Sequence, residues 1–294
     1  MQSFVITTDQ SNKKIVQVIT GKYPGVSLSA VYKALRQKDI KINGVRIKED
    51  VRVSAGDRIE LYIADSFLFP KPVLDIVYED KNIVLLNKPQ GLKVHPDADT
   101  NETSLIELLK EAYGPDIALC HRLDRNTGGL IIAGINPTAT EILVKKIQNN
   151  EITKLYQCRV HGKLPKETET LTAYLSKNAR DSLVFIQDTP TPGASKIITR
   201  YARLSYDASS DTSIAEIQLL TGKTHQIRAH MAHIGHPVVG DGKYGSNTQK
   251  KKLGEKTKYQ ALFAYKLIFS FTTPAGILDY LKNELFEIPV KFNS

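Results

Sequence analysis

The most constraining feature of this chain is a charged loop set between two uninterrupted apolar runs, in the stretch LCHRLDRNTGGLIIAG (119–134). Residues 117–119 read as a buried strand entering the loop and residues 130–133 as a buried strand leaving it. Between them stand His121, Arg122, Asp124, Arg125, Asn126 and Thr127, followed by Gly128 and Gly129. A polar cluster between two core strands has to be a loop, and loops on rigid scaffolds are where chemistry concentrates.

The surrounding sequence extends that reading to a fold class. LYQCRV and SIAEIQLL read as strands, and QNNE and PGAS as turns. Asn136-Pro137 is a helix start, a cap followed by proline in the first turn, with Ala139, Ile142, Leu143 and Ile147 as its apolar stripe. Strands and helices alternate without a regular βαβ rhythm. The expectation is α+β, with a mixed, mainly antiparallel sheet and flanking helices. There is no internal repeat, and the one low-complexity patch, QKKKLGEKTK (249–258), reads as an exposed basic loop.

A length of 294 residues suggests two domains. In residues 1–64, Ser27 can cap a helix with Leu28, Val31, Tyr32 and Leu35 on one face. KINGVRI then carries an Asn43-Gly44 hairpin signal, and a Gly56-Asp57 turn leads into a last strand. Pro70 and Pro72 break structure in a linker over residues 65–74, leaving 75–294 as the second domain. Residues 1–64 hold 11 Lys and Arg against 6 Asp and Glu, so they carry +5 of a formal net charge of +9. Charge concentrated in the smaller part favours an anion-binding module, nucleic acid first, over a uniform basic coat.

Composition excludes several classes. The start MQSFVITTDQ has no apolar secretory core, and no apolar stretch is long enough to span a membrane, so a cytoplasmic protein without a membrane partner is expected. Two cysteines, Cys120 and Cys158, are too few for a disulfide framework or a cysteine zinc site. TGKT at 221–224 lacks the first glycine of a phosphate-binding loop, since position 217 is Ile217. DRNTGG lacks the closing glutamate of a calcium loop, where Ile135 stands instead. His225, His230, His233 and His236 have one nearby carboxylate, Asp241, so a packed histidine cluster is expected in place of a metal site.

The stretch HRLDRNTGGL resembles the signature of the RluA-type family of RNA pseudouridine synthases. NKPQGLKVHPD (87–97), KLYQCRVHG (154–162) and LLTGKTHQIRAHMAHIGHPVVGDGKYG (219–245) resemble three further blocks of that family, in the same order. The first 64 residues resemble the small RNA-binding domain shared with ribosomal protein S-four, in SLSAVYKALRQKDI, KINGVRI and AGDRIELYI. The first resemblance implies isomerisation of uridine to pseudouridine in RNA without a cofactor, with Asp124 as the catalytic carboxylate, acting as nucleophile or as base. Burial disfavours an ionised carboxylate, so an opposing cation is needed, and the family pattern supplies it in Arg228. Tyr156 corresponds to the active-site tyrosine that stacks on uracil, and Arg122 to the residue that fills the gap left by a flipped base. Substrate binding also extends to His121, Lys154, Thr224, His225 and Gln226; His121 and Leu123 are further expected to hold the loop. The second resemblance makes Lys33, Arg36, Lys38, Lys41 and Arg46 an RNA-backbone surface.

The resemblance further implies structured RNA as the partner, ribosomal large-subunit RNA first and transfer RNA second; a monomer is the default expectation for the oligomeric state. The chain departs from the family pattern in three places: Gly128 where serine is frequent, Lys223 where arginine is frequent, and Phe263 where histidine is usual. A non-catalytic RNA-binding protein and an Asp124-dependent hydrolase are the other classes left open by the residues.

Overall fold

A computed structural model describes residues 1–23, 25–64, 68, 72–97, 102–178, 183–245 and 259–292. The basic patch 249–258 and Pro70 of the linker lie outside the described residues. The chain divides into two compact units, Met1–Val73 and Leu74–Ser294.

In the first unit, helices α1 (Ile15–Lys22) and α2 (Leu28–Gln37) accompany strands β1 (Gln2–Val5), β2 (Ile40–Ile42), β3 (Val45–Ile47) and β4 (Arg58–Leu61), in sheet order β1-β4-β2-β3. Ser27 caps α2 by accepting a hydrogen bond from the Ala30 amide at 3.2 Å. The helix ends at Lys38 in the left-handed region. Val31, Ala34 and Leu35 are its buried face, whereas Leu28 and Tyr32 stay 59% and 43% exposed. The buried stripe is thus narrower than the apolar spacing suggests, because Ala34 is the residue that faces the core. Asn43 and Gly44 both take positive φ, which is what a two-residue turn between β2 and β3 requires.

The second unit contains β5 (Ile76–Glu79), β6 (Ile83–Lys88), α3 (Leu105–Tyr113), β7 (Ala118–Leu119), β8 (Gly128–Gly134), α4 (Pro137–Gln148), β9 (Ile152–His161), β10 (Thr168–Asn178), β11 (Leu183–Gln187), β12 (Ser195–Asp207), β13 (Thr212–Leu219), α5 (Gln226–His233), β14 (Leu262–Phe269) and β15 (Leu285–Glu287). Among the described residues these strands form one sheet, ordered β11-β10-β12-β13-β9-β14-β8-β6-β5, with β15 beside β14 and β7 beside β8. Every pairing is antiparallel except β14 with β8. The unit is therefore mixed α+β with a large, mainly antiparallel sheet and few helices.

All seven residues of β8 are buried because the sheet is covered on both faces there. Ile131 and Ala133 join Val84, Leu86 and Tyr156 in one core, while Leu130 and Ile132 join Ile83, Leu85 and Leu143 in the other. This two-residue alternation explains why the exit strand of the loop is apolar without interruption. Gly129, at φ 106°, marks the parallel crossing: a Cβ there would lie 2.0 Å from the Ala264 carbonyl oxygen. α4 begins as its sequence signal suggests, with the Asn136 side chain accepting from the Ala139 amide at 2.9 Å.

Candidate active site

Asp124 sits in the loop between β7 and β8, and the segment after β6 holds that loop in place. The Lys88 ammonium donates to the carbonyls of Pro89 (3.0 Å), Leu92 (2.8 Å) and Arg125 (3.0 Å). The Gly91 amide donates to the same Arg125 carbonyl, and Gln90 donates to the Asn126 carbonyl at 3.0 Å. Arg125 returns the contact, donating to the Gly91 carbonyl and pairing with Glu102 at 2.6 Å. Lys88 is only 1% exposed; burial pushes its pKa down to about 7, and the nearby Asp124 charge opposes that shift. From the loop's other side, Ile132 donates its amide to His121 Nε2 at 3.2 Å. Burial, then Lys154, pushes His121 down to about 3, so the ring is neutral. Its buried Nδ1 has no partner among the described residues.

α5 brings in the cation. Arg228 places Nη1 3.0 Å from Asp124 Oδ2 while Nε and Nη2 grip both oxygens of Asp241 at 2.7 and 2.9 Å. The Asp241 side chain is fully buried, so the guanidinium is fixed from behind and aimed at Asp124. Burial alone would lower the proton affinity of Arg228, but Asp241 and Asp124 outweigh it. Tyr244 lies under the guanidinium at 5.2 Å and bonds His225 Nδ1 at 2.9 Å. Tyr156, on β9, is 5% exposed, and burial followed by the Asp124 charge raises its pKa, leaving a neutral phenol.

His121, Arg122, Asp124, Lys154, Tyr156 and Arg228 line a cavity of about 460 Å³. Thr224, His225 and Gln226 also line it. Arg122 is exposed. Lys154 lies two residues before Tyr156 on the same strand, and burial lowers its pKa. Gln226 is differently employed. Its amide donates to Ile198 O and Thr199 Oγ1 and accepts from Thr221 and the Lys223 amide, so it braces the loop and has little left for a ligand. The histidines diverge: His230 bonds Thr199, His233 bonds Asp188, and His236 bonds the His161 carbonyl. No cluster of three or more metal-ligating groups occurs among the described residues. In the first unit Lys41 and Arg46 flank the Tyr62 ring at 4.9 and 5.4 Å, and Lys33, Arg36 and Lys38 are exposed.

Two of the departures from the family pattern turn out to be one. Phe263 is paired in register with Gly128, and a Cβ at 128 would lie 2.7 Å from the Phe263 ring. The bulky ring and the missing side chain fill the same space. Sequence reasoning missed Lys88, Tyr244 and the role of Asp241. Asp241 was visible only as a candidate ligand, and the other two carried no local signal beyond lying inside the resembling blocks.

Residues 82–233 match the RNA pseudouridylate synthase family. The chain belongs to that family. It is 32% identical over 289 residues to an uncharacterized RNA pseudouridine synthase of Mycoplasma genitalium, covering 90% of this chain and 88% of that one. It is 28% identical over 290 residues to the ribosomal large subunit pseudouridine synthase C of Escherichia coli, covering 92% and 88%. The fold is shared with human RNA pseudouridylate synthase domain containing 1, at a TM-score of 0.58 and 23% identity over 70% of this chain and 82% of that one. The chain is accordingly an RNA pseudouridine synthase of the RluA type, and RNA is its partner. Among the described residues, no helix is long and apolar enough to cross a membrane.

Proposed function

We propose that this pseudouridine synthase modifies a uridine of large-subunit ribosomal RNA in the cytoplasm, as a monomer, with Asp124 as its catalytic carboxylate. The observation that carries the assignment is Asp124 on the wall of the cavity, 3.0 Å from a guanidinium that Asp241 holds in place. A volume of about 460 Å³ suits one extruded nucleotide. Unstacking the uridine costs a few kcal/mol, and Arg122 at the cavity offsets part of that by stacking in its place. Asp124 then attacks the anomeric carbon or takes a ribose proton, and the bond from ribose to N1 of uracil breaks. The ring turns against Tyr156, and C5 bonds to the anomeric carbon as the Asp124 ester bond breaks or, on the other route, as Asp124 returns the ribose proton; the C5 proton then leaves and N1 is protonated. The ribosomal target is supported by similarity to the ribosomal large subunit pseudouridine synthase C of Escherichia coli. Residues 1–64 add affinity for structured RNA through Lys33, Arg36, Lys38, Lys41 and Arg46.

Pseudouridine mapping with carbodiimide, on ribosomal and transfer RNA from cells with and without the gene, tests the target. A site lost only from transfer RNA would move the assignment there. On the mapped RNA, Asp124→Asn is expected to keep binding but lower the single-turnover rate at least about a thousandfold, roughly 4 kcal/mol of barrier. Turnover above that level would remove Asp124 from the catalytic role.

A further inference from the structure

We propose that His225 reads the ribose 2′-hydroxyl of the target nucleotide together with Asp124, in a tautomer set by Tyr244. The inference rests on the reading of Asp124 given above and names the chemical group that its neighbour recognises. His225 Nε2 lies 3.9 Å from Asp124 Oδ2, too far for a direct hydrogen bond, and both residues line the cavity. An oxygen at hydrogen-bond distance from both would meet them at roughly a right angle, a geometry suited to a hydroxyl.

Hydrogen-bond logic decides which way the protons run. Tyr244 Oη accepts the Val184 amide at 3.1 Å. Its own proton then has one acceptor among the described residues, His225 Nδ1 at 2.9 Å. The ring is neutral: burial lowers its pKa, Arg228 and Lys243 act in the same direction, and Asp124 and Asp241 oppose them. Its remaining proton therefore sits on Nε2, the nitrogen 3.9 Å from Asp124 Oδ2. A group placed between the two must accept from the imidazole and donate to the carboxylate. A hydroxyl does both, and on a ribonucleotide the 2′-hydroxyl is the one that separates RNA from DNA.

Backbone geometry points the same way. His225 stands at φ 54° and ψ 16°, in the left-handed region, yet its side chain makes no cap bond to α5. A non-glycine residue held there is a marker of function when local structure does not need it. Tyr244 is the positioning residue: it crosses from the loop after α5 to β11 and holds the imidazole edge-on, with ring centroids 5.7 Å apart at 76°.

The test is a two-by-two cycle. Oligonucleotides carrying the mapped target as uridine or as 2′-deoxyuridine are assayed for single-turnover rate and half-saturation with wild type, His225→Ala, His225→Gln and Tyr244→Phe. Deoxyribose alters the lability of the glycosidic bond equally for every variant, so the change in the ribose-to-deoxyribose ratio isolates the contact. The ratio is expected to fall about tenfold in His225→Ala, to fall less in Tyr244→Phe, and to recover partly in His225→Gln, which keeps an N–H donor. An unchanged ratio in a folded His225→Ala, with both substrates slowed alike, overturns the proposal and leaves only water between the two side chains. If His225→Ala does not fold, judged by its melting transition, Tyr244→Phe decides by the same ratio. Wild type that forms no pseudouridine in the ribose substrate would instead overturn the assignment of the target, and the inference with it.

Discussion

Lys88 holds three backbone carbonyls in the interior, and its removal exposes what the contact is worth. Lys88→Met orphans the acceptors of Pro89 and Leu92, each at about 1–3 kcal/mol, and leaves the Arg125 carbonyl with the Gly91 amide as its donor. Denaturant unfolding should register that loss, and turnover should fall more than affinity because the Asp124 loop loses its brace. The pH dependence has a definite sign. Native Lys88 has a pKa near 7 against an ordinary 10.5, so between those values the unfolded chain binds more protons than the native one. The share of stability due to this residue therefore rises with pH across that window and is flat below it. The difference in unfolding free energy between wild type and Lys88→Met should slope upward from pH 7 to 10; no slope would mean that the native lysine stays charged throughout. The Gly128–Phe263 contact gives a second test. Gly128→Ser alone drives a side chain into the Phe263 ring, at about 1–3 kcal/mol of overpacking. Adding Phe263→His should recover most of it, and simple additivity in the melting data would show that the two positions are independent.

At the level of elements, α4 is tied to the turn after β14 by a buried ion pair. Lys146 donates to Glu151 at 2.8 Å and to Thr273 Oγ1 at 2.6 Å, and Glu151 accepts the amides of Thr272 and Thr273. The Lys146 contact holds the Glu151 carboxyl well below the usual range, against burial, with the two threonines assisting. A depressed carboxylate contributes stability that is complete above the unfolded pKa of about 4.3 and is lost as pH falls through the native value. Glu151→Gln should thus lower the melting temperature more at pH 7 than at pH 3; equal losses would show that the charge is not what matters. Elements of this kind were partly legible in the sequence. The caps at Ser27 and Asn136 and the Asn43-Gly44 turn depend on neighbours within a few residues, and local chemistry specifies them. The Asp124 loop was legible for the same reason, as polar residues trapped between two apolar runs. What could not be read there were contacts closed only by tertiary approach: Lys88 to Arg125, Tyr244 to Val184, Phe263 over Gly128. Nor did periodicity show that Leu28 and Tyr32 would remain exposed, since spacing gives a face but not what covers it.

Among the described residues, each unit has its own sheet and its own hydrophobic core. Residues 74–294 alone should therefore fold and keep most of the saturating turnover, because Asp124, Tyr156 and Arg228 all belong to that unit. Losing the +5 charge of residues 1–64 should weaken binding to structured RNA and flatten its salt dependence. Unchanged affinity and slope would remove the small unit from RNA binding, and an equal collapse of saturating turnover would make it part of the active site. The three carbonyls gathered on Lys88 carry one more implication. Convergent backbone oxygens are the donor set with which many proteins hold a calcium ion, and here a covalently attached ammonium occupies that place. The clamp on the catalytic loop thus carries its own counter-ion and should keep its shape in a chelator. When magnesium is titrated into an assay, the partner expected to change shape is the RNA.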